Sequence, residues 1–173
     1  VGCIGEAIGT PGQNGFLPCP ECSLSKMRAM RWVDGVGEYL GVEGFAGCAT
    51  LVNATGTIIV GGRNTASSRF RSLTGGNQWI WDAGNIALLP RIPEREEDDF
   101  GRGNGTAVCI TATGNALFGF DNLNSAGQMV AAVWRPIPTW RSPKCDLLTP
   151  GQPGWVSSCS ADGRTLVGAW VFD

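Results

Sequence analysis

The sequence predicts an all-β fold in which a short strand–turn–strand segment and a Trp-bearing strand recur along the chain. One observation is composition: the 173 residues include 26 glycines and 10 prolines, which are the two poorest helix formers. A second observation is a short pattern that occurs three times. A third is that hydrophobic residues make up 43% of the chain, which is enough for a full core at this length.

The recurring pattern occupies residues 51–62, 109–120 and 158–169. Its shared core is Ala, then Thr or Asp, then Gly, followed by a polar or small pair, two or three apolar residues and a closing Gly. The first Gly predicts a tight hairpin, because glycine tolerates the positive φ that such turns require. The apolar run predicts a buried strand that ends where two backbones come close together. The turn glycines are Gly56, Gly114 and Gly163.

A Trp-bearing segment and then a Leu-containing segment complete the repeated unit. The three tryptophans are Trp32, Trp81 and Trp134, and the segments after them end in Tyr39–Leu40, Leu88–Leu89 and Leu147–Leu148. We therefore predict that the tryptophans occupy equivalent core positions on a third strand, and that the leucines lie on a fourth strand. Four strands in a unit of about 50 residues are typical of a propeller blade.

The predicted architecture is a single repeat-built β domain over residues 1–173, in a small or incomplete β-propeller-like arrangement of four-stranded units. The units span approximately 1–44, 45–105, 106–150 and 151–173. The chain begins in the later part of one unit and ends after the first two strands of another. Either the two ends meet in a shared closing blade, or the chain is a fragment of a larger propeller. A twisted or swapped arrangement is a further alternative.

Two segments resemble a known class of repeats. Residues 160–168 (Ser-Ala-Asp-Gly-Arg-Thr-Leu-Val-Gly) and 29–32 (Ala-Met-Arg-Trp) resemble the HAF-type repeats of bacterial extracellular and autotransporter proteins. The Ile-Val-Gly-Gly segment at residues 59–62 also resembles kelch-type blades. The resemblance implies a propeller-like fold and supplies no site residues. Long insertions at residues 63–78, 90–105 and 135–146 depart from a compact unit.

The cysteines predict an oxidising compartment, so that the chain is secreted, periplasmic or on the cell surface. The seven disulfide candidates are Cys3, Cys19, Cys22, Cys48, Cys109, Cys145 and Cys159. Their odd number leaves at least one without a partner inside this chain. Cys109 and Cys159 lie near equivalent repeat positions, so they should sit in neighbouring units. A bridge from either to Cys145 or Cys48 is one interpretation, and burial as small hydrophobic residues is the other.

The segment from Pro18 to Cys22 places Cys19 and Cys22 in a turn that could present two thiolates to zinc. A zinc ribbon needs a second such pair, which the sequence lacks, although Cys3 and Cys48 could complete the site after folding. A thiol–disulfide redox pair is another alternative, but no helix start is predicted there to lower the thiol pKa. We favour a structural disulfide for these two residues. No cofactor is predicted.

Several functional classes are excluded by absences in the sequence. The chain contains no histidine, which excludes Ser-His-Asp and Cys-His catalysis and every metal site that needs imidazole. The net charge is −2 and no basic cluster exists, which argues against nucleic-acid binding. No apolar run approaches the roughly 18 residues of a membrane-spanning helix.

Off-pattern tryptophans and a group of arginines are the candidate ligand-binding residues. Trp140 and Trp155 interrupt the repeat, and such residues can stack on a sugar or anchor a partner protein; capping of the core is the simpler role. Arg63, Arg69 and Arg71 could hold a carboxylate or sulfate, or could instead serve solubility and pair with acidic residues.

The sequence favours a binding module that recognises a protein or glycan through its inter-strand loops. One alternative is a carboxylate-dependent glycan hydrolase, whose carboxylates would come from the acidic run at residues 94–99. That run could also bind Ca²⁺, and a solvated loop is the favoured interpretation. Another alternative is a structural repeat spacer that a further segment or chain completes.

Overall fold

The computed structural model describes residues 2–4, 28–40, 47–63, 78–92, 106–122, 128–150 and 152–171. These residues form strands, turns and short connections without any helix, so the all-β prediction is confirmed for them. It follows that this part of the chain has no helix long and apolar enough to cross a membrane.

Four antiparallel sheets are formed from strands that are consecutive in sequence. The first sheet has β1 (Gly2–Ile4), β2 (Arg28–Val33) and β3 (Val36–Tyr39). The second has β4 (Gly47–Val52), β5 (Ile58–Arg63), β6 (Gln78–Asp82) and β7 (Asn85–Leu88). The third has β8 (Thr106–Ile110), β9 (Leu117–Asn122), β10 (Met129–Pro136) and β11 (Pro143–Leu147). The fourth has β12 (Gly154–Cys159) and β13 (Leu166–Trp170).

The predicted four-stranded unit is present in the second and third sheets, where neighbouring strands follow sequence order. Among the described strands, the first sheet has three members and the fourth has two, and none of the four sheets is closed. The strand register shows which strands of the repeated unit the first and fourth sheets contain. Gly2 lies opposite Met30, two residues before Trp32, as Gly119 lies opposite Ala132, two residues before Trp134. The first sheet therefore holds the second, third and fourth strands of a unit, and the fourth sheet holds the first and second.

The predicted turn occurs three times with the same backbone. In the second sheet the Gly56 N–H donates to the Asn53 carbonyl, and the Asn53 N–H donates to the Ile58 carbonyl, both at 3.1 Å. The same two bonds form in residues 111–116 and 160–165. The turn glycines have φ values of +73°, +74° and +71°, which confirms the predicted requirement for glycine. The connection is a four-residue loop rather than a two-residue hairpin.

The closing glycine of the repeat lies where two backbones approach each other. A Cβ atom built at Gly119 would clash with the Thr106 carbonyl oxygen, and one built at Gly168 would clash with the Trp155 carbonyl oxygen. Both glycines lie opposite the residue that precedes a β-bulge, Ala107 and Val156 respectively, and a bulge bends the strand at that point. The predicted crowding at the closing glycine is confirmed at these two sites.

The Trp-bearing strands and the leucines also take equivalent positions. Trp32, Trp81 and Trp134 lie opposite Gly37, Ile86 and Cys145 on the fourth strands of their units. Beyond those strands one backbone bond recurs: the N–H groups of Leu40, Leu89 and Leu148 donate to the carbonyls of Ala29, Gln78 and Ala131. The repeated units are therefore equivalent in backbone register as well as in sequence.

Each pair of consecutive sheets encloses an apolar cluster, which shows that the sheets pack face to face in chain order. Between the first and second sheets lie Ala29, Leu40, Ala49, Ile59, Trp79 and Trp81. Between the second and third lie Ile58, Val60, Ile80, Leu89, Ile92, Ala107, Leu117, Val130, Ala132, Trp134, Trp140 and Cys145. Between the third and fourth lie Ala116, Phe118, Ala131, Val133 and Val156. The repeated turns join in the same order, since the Ala54 N–H donates to Ala112 (3.1 Å) and the Ala112 N–H donates to Ala161 (2.7 Å).

Candidate binding surface

Trp140, a candidate ligand-binding residue, lies in the core between the second and third sheets. Its Nε1–H donates a 2.8 Å hydrogen bond to the carbonyl of Gly114, which ties the β10–β11 loop to the turn of its own sheet. The indole therefore has no exposed surface on which a sugar could stack, and core capping describes its role. The sequence around Trp140 does not indicate the hydrogen bond to Gly114, because that bond joins residues 26 positions apart.

Trp155 lies on β12 opposite Ala169 of β13 and is half-buried. Because side chains alternate along a strand, Trp155 shares the outer face of the fourth sheet with Ala169 and Val167. The third sheet covers the opposite face, to which Val156 belongs. Trp155 is thus partly accessible on a face that no described sheet covers.

The arginine and cysteine candidates are only partly described. Arg63 is the last residue of β5, whereas Arg69 and Arg71 lie outside the described residues, as do the acidic run at 94–99 and the Cys19–Cys22 pair. Cys3 and Cys48 are residues of β1 and β4, and Cys145 of β11 is buried in the core. In the part of the chain with described side chains, no three His, Cys, Asp or Glu residues are grouped to hold a metal ion.

Cys109 of β8 and Cys159 of β12 form a disulfide, with Cα atoms 5.9 Å apart. The bridge joins the third and fourth sheets, so the prediction that these cysteines sit in neighbouring units is confirmed. The expectation that either pairs with Cys145 or Cys48 is wrong. The reason is packing: β8 and β12 are neighbouring first strands of stacked sheets, which brings the two Cα atoms within disulfide range.

The carboxylates with described contacts serve local structure. Glu38 pairs with Arg31 at 2.7 Å, and Asp146 pairs with Lys144 at 2.6 Å. Asp121 is buried and accepts a hydrogen bond from the Ile92 N–H at 3.1 Å, which joins the third sheet to the segment after β7. The pKa of Asp162 is lowered, mainly because the Ser160 hydroxyl donates to its carboxylate at 2.6 Å.

The outer face of the first sheet carries exposed aromatic side chains. Trp32 and Tyr39 are both exposed, and side-chain alternation places them with Met30 and Gly37 on one face; we call these four residues the aromatic face. A Cβ built at Gly37 would lie 3.2 Å from Trp32 Nε1 and 3.6 Å from Met30 Cε. The Trp32 ring and the Met30 side chain therefore lie over Gly37, where no side chain intervenes.

The opposite face of the first sheet is fixed against the second sheet by Arg31. Its guanidinium lies 4.8 Å from the centre of the Trp81 ring, a distance at which a cation and an aromatic face attract each other. The same side chain donates to Glu38 Oε2 at 2.7 Å and reaches the Gly56 carbonyl at 3.5 Å. This attachment leaves the aromatic face directed away from the stack.

The prediction that all three repeat tryptophans are core residues is wrong for Trp32. Its relative exposure is 46%, compared with 6% for Trp81 and 0% for Trp134 at equivalent positions. The first sheet covers Trp81 and the second covers Trp134, whereas no described sheet lies against the face of Trp32. Sequence reasoning missed Trp32 because its local pattern matches that of the buried copies, and exposure depends on the neighbouring sheet rather than on that pattern.

The chain matches no protein-family model, no curated protein and no solved structure. The candidate binding surface therefore rests on the geometry of these residues alone.

Proposed function

We propose that this chain is an extracellular or cell-surface binding module with a propeller-like arrangement of sheets, and that it recognises a protein partner through the aromatic face. The observation that carries the proposal is the exposure of Trp32 at a position where the two equivalent tryptophans are buried. Trp32 is solvent-exposed at a position where the equivalent tryptophans pack in the core, so a partner can contact its indole.

The composition of the surface supports a protein partner. Trp and Tyr are enriched at the energetic centres of protein interfaces, because each buries a large area while fixing few torsions. The backbone opposite Trp32 is Gly37, so no side chain on β3 blocks access to the indole from that position. Exposed aromatic side chains that share one face of a sheet are suited to an interaction site.

A glycan is the second candidate, because Trp32 and Tyr39 present two exposed aromatic side chains on the same face. Sugar rings can stack on such side chains with their apolar faces. A hydrolase remains a prediction of the sequence only, since the acidic run that would supply its carboxylates lies outside the described residues.

An extracellular location is supported by the Cys109–Cys159 bridge. Disulfides persist in oxidising compartments and are rare where thiols are kept reduced.

The test is a comparison of three immobilised proteins: the wild type, a Trp32→Ser/Tyr39→Ser double variant, and a Trp170→Ser control. Trp170 is about as exposed as Trp32 but lies on the fourth sheet, so the control removes an indole of the same kind elsewhere. Each is incubated with secreted and surface proteins of the source cells and with a panel of defined polysaccharides, and bound material is quantified.

A partner protein should be captured by the wild type and the control, and captured at least tenfold less by the double variant, as expected for loss of an aromatic hot spot. If the wild type and the control capture a polysaccharide and the double variant does not, the ligand of the aromatic face is a glycan rather than a protein. Equal capture by the wild type and the double variant would refute the proposal.

A further inference from the structure

The sequence contains two Asp–Gly dipeptides, and both lie in turns between strands. Asp34 and Gly35 connect β2 to β3, whereas Asp162 and Gly163 belong to the repeated turn between β12 and β13. Asp–Gly is among the dipeptides that isomerise most readily, because glycine has no side chain to hinder attack of its amide nitrogen on the preceding carboxyl group. The two copies therefore share a similar intrinsic reactivity, and the fold determines how much of it each copy retains.

The reaction has two steps and consumes no reagent other than water. In the first step the glycine amide nitrogen loses its proton and bonds to the side-chain carboxyl carbon of the aspartate, whose hydroxyl group leaves as water, so that a cyclic succinimide forms. In the second step water opens the ring. Opening at the side-chain carbonyl restores aspartate, whereas opening at the main-chain carbonyl gives isoaspartate, in which the backbone runs through the side chain and gains a carbon atom.

Both reacting groups of the Asp162 copy are held by hydrogen bonds. The Asp162 carboxylate accepts from the Ser160 hydroxyl at 2.6 Å and from the Arg164 N–H at 3.0 Å, and the Gly163 N–H donates to the Ser160 carbonyl at 2.9 Å. The bonds to the carboxylate also lower the pKa of Asp162, with the Ser160 hydroxyl as the main cause. A smaller fraction of this carboxyl group is therefore in the protonated form that can lose water.

Packing restrains the same turn and leaves the other one open. A Cβ built at Gly163 would lie 2.9 Å from Thr111 Cγ2 and 3.2 Å from Phe118 Cε2, so this turn lies directly against the third sheet. A Cβ built at Gly35 would meet no atom of the described structure within 4 Å, and Asp34 is exposed as well.

The reacting groups of the Asp34 copy have no partner that would hold them apart. In the described part of the chain, neither the Asp34 carboxylate nor the Gly35 N–H makes a hydrogen bond or an ion pair. Asp34 also has a φ of +50°, a region that residues with a side chain adopt infrequently. Turns with few contacts open locally at little cost in free energy, and opening here breaks no bond of either reacting group.

We propose that Asp34–Gly35 is a site of spontaneous isomerisation to isoaspartate in the folded protein, and that the fold protects Asp162–Gly163 from the same reaction. The inference rests on the hydrogen bonds and packing of the two turns, so it does not depend on the proposed function.

Isomerisation at Asp34 changes the hairpin that carries the aromatic face. β2 and β3 remain paired up to Val33 and Val36, so two residues form the turn, and their φ values are +50° and +81°. Two-residue turns with positive φ match the twist of the flanking strands, and an additional backbone carbon lengthens the connection. The pairing next to the turn, including Trp32 opposite Gly37, should therefore loosen.

The test is to age the intact, oxidised chain at neutral pH and physiological temperature and to quantify isoaspartate by peptide mapping. Cleavage after Arg and Lys separates the two copies into residues 32–63 and 145–164, and electron-transfer fragmentation distinguishes isoaspartate from aspartate. Asp34 should contain at least about tenfold more isoaspartate than Asp162, because each hydrogen bond that must break at Asp162 lowers its rate several-fold.

The control is the same chain, reduced, alkylated and aged in denaturant. Without the fold, both Asp–Gly dipeptides should isomerise to similar extents. A contrast of the same size in the denatured chain would assign the difference to local sequence and would overturn the inference.

Two variants test the cause of the contrast. Ser160→Ala removes the principal hydrogen bond to the Asp162 carboxylate and should raise isoaspartate at that residue several-fold, with Asp34 unchanged. Gly35→Asn keeps a residue that tolerates positive φ and places a side chain next to the attacking nitrogen, so isoaspartate at Asp34 should fall to the level of Asp162. Circular dichroism reports whether each variant is folded.

Amide hydrogen exchange on the aged protein reads the structural consequence. The isomerised fraction should exchange faster at Val33, Val36 and Gly37 than the unmodified fraction, with the turn at Gly163 unchanged. The inference is wrong if Asp34 and Asp162 accumulate isoaspartate equally in the folded chain, or if Asp34 accumulates none while the denatured chain reacts.

Discussion

Removal of the Cys109–Cys159 bridge should cost this protein a large part of its stability. The two cysteines are 50 residues apart in sequence, and both lie beside the apolar cluster between the third and fourth sheets. In the chain-entropy treatment, a cross-link that closes a loop of this length stabilises the folded state by about 4 kcal/mol. The Cys109→Ser/Cys159→Ser double variant should therefore lose about 4 kcal/mol of unfolding free energy.

The loss should be concentrated in the fourth sheet. That sheet has two described strands and packs against the third sheet on one face, so the bridge cross-links a small sheet to a larger one. Amide exchange in β12 and β13 should accelerate first, while exchange in the second sheet should change little. Such local loss of protection is the expected behaviour of the least stable cooperative unit.

Urea unfolding followed by tryptophan fluorescence measures the effect, with oxidised wild type, reduced wild type and the double variant compared at neutral pH. With a slope near 2 kcal/mol/M, the midpoint should fall by about 2 M. Reduction of the wild type should reproduce the variant's midpoint if this bridge dominates. A decrease below about 1 kcal/mol, or peptide mapping that links Cys109 to a different cysteine, would refute the reasoning.

Three further outcomes are expected. Gly119→Ala should destabilise by about 3 kcal/mol or more, because the new Cβ meets the Thr106 carbonyl, whereas Gly56→Ala should cost about 1 kcal/mol from its positive φ alone; similar thermal unfolding of the two variants would contradict this. Trp140→Phe should cost about 1–2 kcal/mol in denaturant unfolding, because the Gly114 carbonyl loses its donor; an unchanged midpoint would show that the bond is dispensable. The Asp162 carboxyl should titrate by NMR below the ordinary value of about 3.9, and Ser160→Ala should raise its midpoint, because the hydroxyl is the main cause of the lowered pKa. Since the pKa of Asp162 is depressed in the folded state, the contribution of its carboxylate to folding stability is present above the unfolded-state pKa and is lost as the pH falls through the folded-state pKa. An Asp162 titration midpoint that Ser160→Ala leaves unchanged would contradict the role given to the Ser160 hydroxyl.

Local features of the repeat were predictable because their physical causes are local. The positive φ of Gly56, Gly114 and Gly163 follows from a turn of six residues in which glycine is the residue that fits. The close backbone approach at Gly119 and Gly168 was visible as a glycine at the end of each apolar run.

The disulfide partner was not predictable because it depends on which strands stack. Cys109 and Cys159 differ by one residue in their place within the unit, and no local rule favours that pairing over one with Cys145. The face-to-face packing of β8 and β12 brings them to a Cα distance of 5.9 Å. Connectivity of this kind is a property of the folded arrangement.

By itself the sequence determined the all-β class, the repeated turn and the equivalence of Trp32, Trp81 and Trp134, because spacing and glycine placement constrain each unit from within. Only the tertiary structure decided which equivalent residues are buried and which face solvent. Burial depends on the neighbouring sheet: Trp134 lies against the second sheet, whereas Trp32 and Val167 lie on outer faces that no described sheet covers. The candidate functional residues therefore occupy repeat positions that are buried in other units, and they are exposed where no described sheet covers them.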